Sequence, residues 1–304
     1  MRTHTPLFVA AVLVPMLLVR PAPLFAQAAP STGRAELLAT DQAASDSVAG
    51  QGMAAGLSNL LTDDGILLYS GAPIVRGRGS VARLFSLQRM LDSVHYQWQP
   101  LYAEVSADNS FGVTWGVTAV LVGGRNETPP VRIGRYISAW ERVGGSWKLA
   151  AQVQMGVTGG LPFVLPADLP LTLPALAAEG PFAAFISADN HFSDEAGRTS
   201  AAIAFGKYAA PDAVTFGGPA LVRGPEGIQQ NVASGTPADW KWRPVYAGGS
   251  AAGDLGFTVG ESVIRAKTTA EAPSYGKYLT IWRRDKDGNV KFVTDGGNGR
   301  PAQH

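Results

Sequence analysis

Two carboxylates in the C-terminal half sit where proton chemistry could be done. Phe182, Phe185, Ile186 and Asp189 fall at i, i+3, i+4 and i+7, one face of a helix, so Asp189 shares an apolar stripe. A carboxylate on a core-facing stripe costs free energy unless it is hydrogen-bonded or paired. Asp189 is therefore a structural acid that accepts bonds from Trp, Tyr or backbone groups, a pocket acid/base with a raised pKa, or simply exposed. Asp41, beside Leu37 and Leu38, has the same place in the N-terminal half. Asp295 closes the last predicted strand, and simple alternation puts Lys291, Val293 and Asp295 on one face. Two acids converging on one cavity can divide acid and base roles. Where the C-terminal half has Asp295 the N-terminal half has Gln152, so a dyad of Asp189 and Asp295 is confined to the second half. The alternative for Asp295 is an ion pair with Lys277 or Arg283 on a neighbouring strand.

Aromatic residues supply the rest of the candidate site. Tyr278, Thr280 and Trp282 alternate onto one strand face, and Trp240, Trp242 and Tyr246 are expected to share another. Such stripes form either core or an apolar pocket with phenol and indole handles for a flat ligand. The expected pocket set is Asp189, Trp242, Tyr278, Trp282 and Asp295, with Asp41, Trp98 and Tyr136 as the counterparts in the first half. His191 lies two residues from Asp189, on a face with Ser187, Ala188, Asp194 and Glu195, and reads as solvated; His95, at the mouth of a strand, reads as structural. With four histidines and no cysteine, a multi-histidine metal centre, a zinc ribbon, a Cys nucleophile and a disulfide framework are all out of reach. Gly71, Gly77 and Gly79 do not form a dinucleotide loop, and neither a phosphate-binding loop nor a Gly-x-Ser-x-Gly elbow is present, so no metal and no cofactor is expected.

The elements that must position these residues are written twice. Leu38-Ala39-Thr40-Asp41 answers Ile186-Ser187-Ala188-Asp189, and Ile74-Val75-Arg76-Gly77 answers Leu221-Val222-Arg223-Gly224. Trp98-Gln99-Pro100-Leu101-Tyr102 answers Trp242-Arg243-Pro244-Val245-Tyr246. Phe111 to Gly116 answers Leu255 to Gly260, and Gly134 to Trp140 answers Gly276 to Trp282. Matches in one order indicate a tandem duplication. In the second half the pattern predicts a helix from Phe182, a second through Ala201, Phe205 and Tyr208 that Pro211-Asp212 ends, a brief strand at Val214–Phe216, and a third helix over Pro225–Val232. Four strands follow at Trp240–Ala247, Leu255–Arg265, Lys277–Arg284 and Val290–Asp295. Helices first and strands after give an α+β class, with helices covering one side of a curved, mostly antiparallel sheet. The expected organisation is a domain over 34–156, a Pro-rich linker over 157–181, a second domain over 182–297 and a tail over 298–304.

The N-terminus reads as an address. Arg2 precedes an apolar run from Pro6 to Val19, and Ala26-Gln27-Ala28 fits a small-x-small cleavage rule, the layout of a secretory signal peptide over 1–28. The run is shorter than the roughly 20 residues of a membrane span, so no integral membrane segment is expected after cleavage. The formal net charge of +1 loses Arg2 and Arg20 with that peptide, which leaves 23 basic against 24 acidic residues. No like-charge field is then available to hold nucleic acid. The expected location is the periplasm or the outside.

The elements Ala188-Asp189, Val222-Arg223-Gly224, Trp242-Arg243-Pro244, Gly253 to Thr258, Gly276 to Trp282 and Asp295-Gly296 resemble the SnoaL-like domains of the nuclear transport factor 2-like superfamily. The resemblance covers 182–297 and is looser over 35–156, where Asp295 becomes Gln152. It implies two tandem cone-shaped α+β domains, each a bent sheet wrapped around N-terminal helices, with a pocket at the wide end. That superfamily includes isomerases, cyclases, dehydratases and non-enzymatic binders, so the fold leaves function open. The expected function is an exported protein that binds a small apolar or aromatic molecule, mainly in the second, better-preserved copy. The rival is an isomerase, cyclase or lyase that uses Asp189 or Asp295 as proton shuttle. Sheet faces in this superfamily also dimerise, which implies an intramolecular pseudo-dimer or a homodimer.

Overall fold

The computed structural model of the chain describes residues 32–88, 94–122, 132–156, 164–166, 180–217, 220–235, 238–267 and 272–302. The expected signal peptide and most of the Pro-rich linker lie outside them.

The first half begins with α1 (Thr32–Gln51), whose buried residues Leu37, Asp41, Ala44, Ser45 and Val48 keep the helical period. Gly52, at φ 81°, breaks the helix before α2 (Met53–Leu60). There follow β1 (Leu61–Leu68), the short β2 (Val75–Arg76) and α3 (Arg78–Ser86). Four long strands close the half: β3 (Val94–Val105), β4 (Phe111–Val122), β5 (Arg132–Val143) and β6 (Ser146–Met155). The second half repeats the plan as α4 (Ala183–Arg198), α5 (Ala201–Tyr208), β7 (Ala209–Gly217), β8 (Ala220–Arg223) and α6 (Gly224–Ala233), then β9 (Ala238–Gly249), β10 (Leu255–Ala266), β11 (Ser274–Arg284) and β12 (Val290–Gly299). Ser200 caps α5 by accepting a bond from the Ile203 backbone N–H at 3.2 Å.

Each half makes one six-stranded sheet, in the order β2-β1-β6-β5-β4-β3 and β8-β7-β12-β11-β10-β9. All neighbours are antiparallel except β1 with β6 and β7 with β12. This is the expected tandem α+β arrangement. Several local expectations need correction. Tyr208 is the last residue of α5, and Pro211 lies inside β7, where the pairing with β12 is irregular, one of the few places a sheet tolerates proline. The last strand runs on to Gly299, so residues 298–299 belong to the sheet. Asn298 is fixed there by donating to the Leu68 and Gln154 carbonyls at 2.8 and 2.7 Å.

Two bulges decide which side chains face inward. In β12 the register with β11 steps between Ile281–Thr294 and Trp282–Phe292, so Val293 is the extra residue. Simple alternation of Lys291, Val293 and Asp295 therefore fails. Phe292 and Asp295, three residues apart, share the inner face with their partners Trp282 and Thr280. In β9 the step between Pro244–Gly260 and Tyr246–Val259 makes Val245 the extra residue. Tyr246 then points away from the face of Trp240 and Trp242 that it was expected to share. Leu101 and Ala150 hold the same bulges in the first half.

All described residues belong to one compact unit. The outer faces of the two sheets meet. Phe111 stacks on Phe257 with ring centroids 5.8 Å apart, within one buried cluster that joins Ile137, Ala139 and Val153 to Leu279 and Ile281. The β3–β4 and β9–β10 turns clasp each other reciprocally. Asp108 accepts from the Ala252 N–H at 2.7 Å, and Asp254 accepts from the Ala107 N–H at 2.8 Å. Against the upward pull of partial burial, the Ala252 bond and three more, one from Ser106 and two from Ser110, hold the Asp108 carboxyl down at about 2. Arg283 bridges Glu104 (2.6 and 2.7 Å) and Asp212 (3.0 Å).

Candidate functional site

The buried acids anchor helix to sheet in both halves. Asp189, on α4, accepts from Trp242 Nε1 at 3.0 Å and from the Tyr278 hydroxyl at 2.9 Å. Asp41, on α1, accepts from Trp98 Nε1 and the Tyr136 hydroxyl, both at 2.6 Å. Thr258 and Thr114 complete the two networks by accepting from Trp282 Nε1 at 2.8 Å and Trp140 Nε1 at 2.9 Å. Ser193 and Ser45 add a second tie, each accepting the backbone N–H of the strand tryptophan. Burial raises Asp189 to about 7 and Asp41 to about 6, while the hydroxyl and indole donors pull back. Both carboxylates have every oxygen engaged and none of their surface exposed, as a structural acid requires.

A cavity of about 330 Å³ opens inside the second half between α4, α5 and the inner sheet face. Its walls include Phe192, Phe205, Trp240, Trp242, Tyr278 and Thr280, with Asp295 on one side. Asp295 also lines a cleft of about 1140 Å³ that reaches Thr215, Phe216 and Val232, and Ile133 and Met155 of the first half. Asp295 accepts from the Thr280 hydroxyl at 2.5 Å. Withdrawal from water raises its carboxyl to about 6, and the Thr280 bond lowers it. It does not pair with Lys277 or Arg283. Lys277 donates to the Gly299 carbonyl at 2.8 Å, and strand alternation puts its amine on the outer face; burial first, then Arg300, lowers it to about 7.

Of the expected pocket residues, Trp242, Tyr278 and Asp295 line the smaller cavity. Asp189 and Trp282 lie behind that wall and line neither space, so the two acids do not share one cavity. Asp41, Trp98 and Tyr136 are packed into the core of the first half. There Gln152 and Gln154, both fully buried, occupy the positions of Asp295 and Gly297. Gln154 Nε2 donates to Gln152 Oε1, and Gln152 Nε2 to the Ser138 hydroxyl, both at 3.0 Å. Glycine at 297 leaves open the volume that the Gln154 side chain takes. His191 is exposed, with Ser187 Oγ 3.5 Å from Nδ1, and does not approach the cavity. Sequence reasoning missed Phe192, Phe205 and Thr280 as lining residues. The signal for the first two was present: Phe192 is seven residues beyond Phe185 on one stripe, and Phe205 sits on the apolar face of α5. Among the described residues no group of acids and histidines is arranged to hold a metal ion, and no helix is long and apolar enough to cross a membrane.

Among the described residues, some buried polar atoms of lining residues lack partners. Trp240 Nε1, beside both spaces, and Thr215 Oγ1, beside the cleft, are buried without a hydrogen bond. Such groups are costly when left unmatched and inexpensive when a ligand meets them.

Residues 35–152 match the family of the SnoaL-like domain. The match thus falls on the half whose motifs resemble that family more loosely. No curated protein matches the chain. Among solved structures, the chain is similar to a domain of unknown function with a cystatin-like fold from Nostoc punctiforme, at 10% identity and a TM-score of 0.35 over 41% of this chain and 78% of that one. It is also similar to a nuclear transport factor 2-like protein from Novosphingobium aromaticivorans (16% identity, TM-score 0.32, 41% of this chain and 88% of that one). A third is a ketosteroid isomerase-like protein from Erwinia carotovora (18% identity, TM-score 0.32, 40% of this chain and 96% of that one).

Proposed function

We propose that this chain, which carries a SnoaL-like domain over residues 35–152, is an exported small-molecule-binding protein whose ligand occupies the second half. One observation carries the proposal. Where the first half closes its interior with the bonded pair Gln152 and Gln154, the second has Asp295 and Gly297 and keeps a cavity of about 330 Å³. That volume falls in the range of small-molecule sites, and its lining sets aromatic rings beside polar groups such as Ser262, Thr280 and Asp295. The ligand is a compact, partly apolar molecule that meets rings on most sides and offers a polar group to Asp295 or Trp240. The first half serves as scaffold, and export delivers the protein to the periplasm or beyond.

The test is titration of the chain lacking residues 1–28 with the neutral dye N-phenyl-1-naphthylamine, followed by dye fluorescence. Saturable binding is expected, and Ser262→Leu, which puts an isobutyl group into the cavity wall, abolishes it while circular dichroism stays unchanged. Dye uptake that never saturates, or that Ser262→Leu leaves intact, contradicts the proposal.

A further inference from the structure

We infer that the cavity of the second half is built for an organic cation, a hydrocarbon-bearing ammonium whose charge meets Asp295 and whose body lies among the rings. The inference rests on the ligand-binding proposal above and names the class of ligand.

The first ground is an acid without a counter-charge. Asp295 has, among the described residues, one partner, the Thr280 hydroxyl, and no ion pair. Three of the nearby basic side chains are committed elsewhere, and Arg135 also lines the cleft. The Lys277 amine is bonded to the Gly299 carbonyl, Arg283 to Glu104 and Asp212, and Lys267 at the cleft edge to Asp239 at 3.0 Å. A carboxylate drawn out of water in this way is stabilised by an incoming cation. Acids that do have a basic partner in contact, such as Glu195 between Arg198 and Lys207, lie outside the cavity.

The second ground is the ring arrangement. Phe205 stacks on Trp240 at 5.4 Å between centroids, and Trp240 meets Trp242 edge-on at 5.8 Å. Phe192 lies 4.6 Å from Trp242 and 4.8 Å from Phe205. Tyr278 adds a fifth ring to the lining. The Trp242 indole N–H and the Tyr278 hydroxyl are held by Asp189, so these two side chains offer the cavity their rings. Several aromatic faces beside one carboxylate form the environment that attracts ammonium groups, with tryptophan the strongest ring. The first half lacks the acid, since Gln152 is neutral, and has Tyr96 where Trp240 stands.

The experiment compares charge-matched pairs by calorimetry and tryptophan fluorescence on the chain lacking residues 1–28: 2-phenylethylammonium with 2-phenylethanol, and hexylammonium with hexanol. The ammonium member is expected to bind about tenfold or more tightly, as a desolvated cation–carboxylate contact implies. Asp295→Asn is expected to remove that preference, so that both members of each pair bind alike, while circular dichroism shows that the variant is folded. Trp240→Ala weakens the ammonium more than the alcohol. Equal affinity for both members of each pair, or a preference that survives Asp295→Asn, overturns the cation inference and leaves a neutral-ligand site. No saturable binding of either member, nor of the dye, overturns the ligand-binding proposal itself.

Discussion

We propose that ligand contact and stability fall to different acids. Asp189 and Asp41 share the local sequence of a candidate catalytic acid, yet each is spent on holding a helix to a tryptophan and a tyrosine. Replacing Asp189 by Ala strands the Trp242 N–H and the Tyr278 hydroxyl in the core. It is expected to cost about 3–5 kcal/mol in chemical denaturation, as removal of one partner of a buried charged network does. Asp41→Ala is expected to cost the same. Asp295 shifts stability with pH in the opposite sense to an ion-paired acid whose pKa is lowered. Its native pKa of about 6 exceeds the ordinary 3.8, so its contribution is fully present below about pH 4 and is lost as pH rises through 6. Asn at 295 does not titrate. The difference in Tm, wild type minus Asp295→Asn, is therefore expected to fall between pH 4 and 7. A difference that holds constant or rises over that range contradicts the burial assigned to this carboxyl. The stripe of Phe182, Phe185, Ile186 and Asp189 was legible in the residues. The choice between structural and chemical acid was not, because it depends on which strand side chains arrive opposite.

At the level of elements, bulges and glycines do the positioning. The extra residue Val293 turns Asp295 inward beside Thr280, and Val245 turns Tyr246 outward to donate to Asp64 at 3.2 Å. Neither follows from a period-two pattern, since a bulge is a departure from that period. The strands themselves were legible from their alternation and their Gly and Asp punctuation, and the reciprocal Trp-x-Pro and Gly-x-Tyr segments marked equivalent strands. Gly260 in β10 has a specific duty: a β-carbon there would strike the Tyr278 hydroxyl and ring and the Arg243 carbonyl. Gly260→Ala is expected to cost about 1–3 kcal/mol, the usual penalty of overpacking, and to loosen the Tyr278–Asp189 bond. Gly79, near the start of α3, meets nothing within 4 Å, so Gly79→Ala is expected to stabilise by about 0.5–1 kcal/mol. Urea unfolding of the two variants reads both signs.

For the whole molecule, two sheets of the same strand order bury their outer faces against each other, with Phe111 on Phe257 at the centre and the Asp108 and Asp254 turns clasped at one end. We propose that this internal pairing takes the place of a homodimer. The chain lacking residues 1–28 is then a monomer in light scattering and unfolds in a single transition. Phe257→Ala is expected to cost about 3–5 kcal/mol by leaving a cavity at the seam. A stable dimer, or two separate transitions in wild type, contradicts internal pairing. The repeat was legible from five ordered matches. The seam was not, because its clasping aspartates and stacked rings look like ordinary turn and strand residues until the two faces meet. The difference between the halves was half legible: Asp295 against Gln152 could be read directly, while Gly297 against Gln154, which opens the cavity, gained its meaning from the packing.

The central claim is that the second half, and not the first, holds a small molecule beside Asp295. A crystal structure of the chain lacking residues 1–28, soaked with 2-phenylethylammonium, tests it most directly. The account predicts one molecule in the cavity between Phe192, Trp242 and Tyr278, with its polar group within hydrogen-bond reach of the Asp295 carboxylate. Density in the interior of the first half, or only on the outer surface with that cavity vacant, would contradict it.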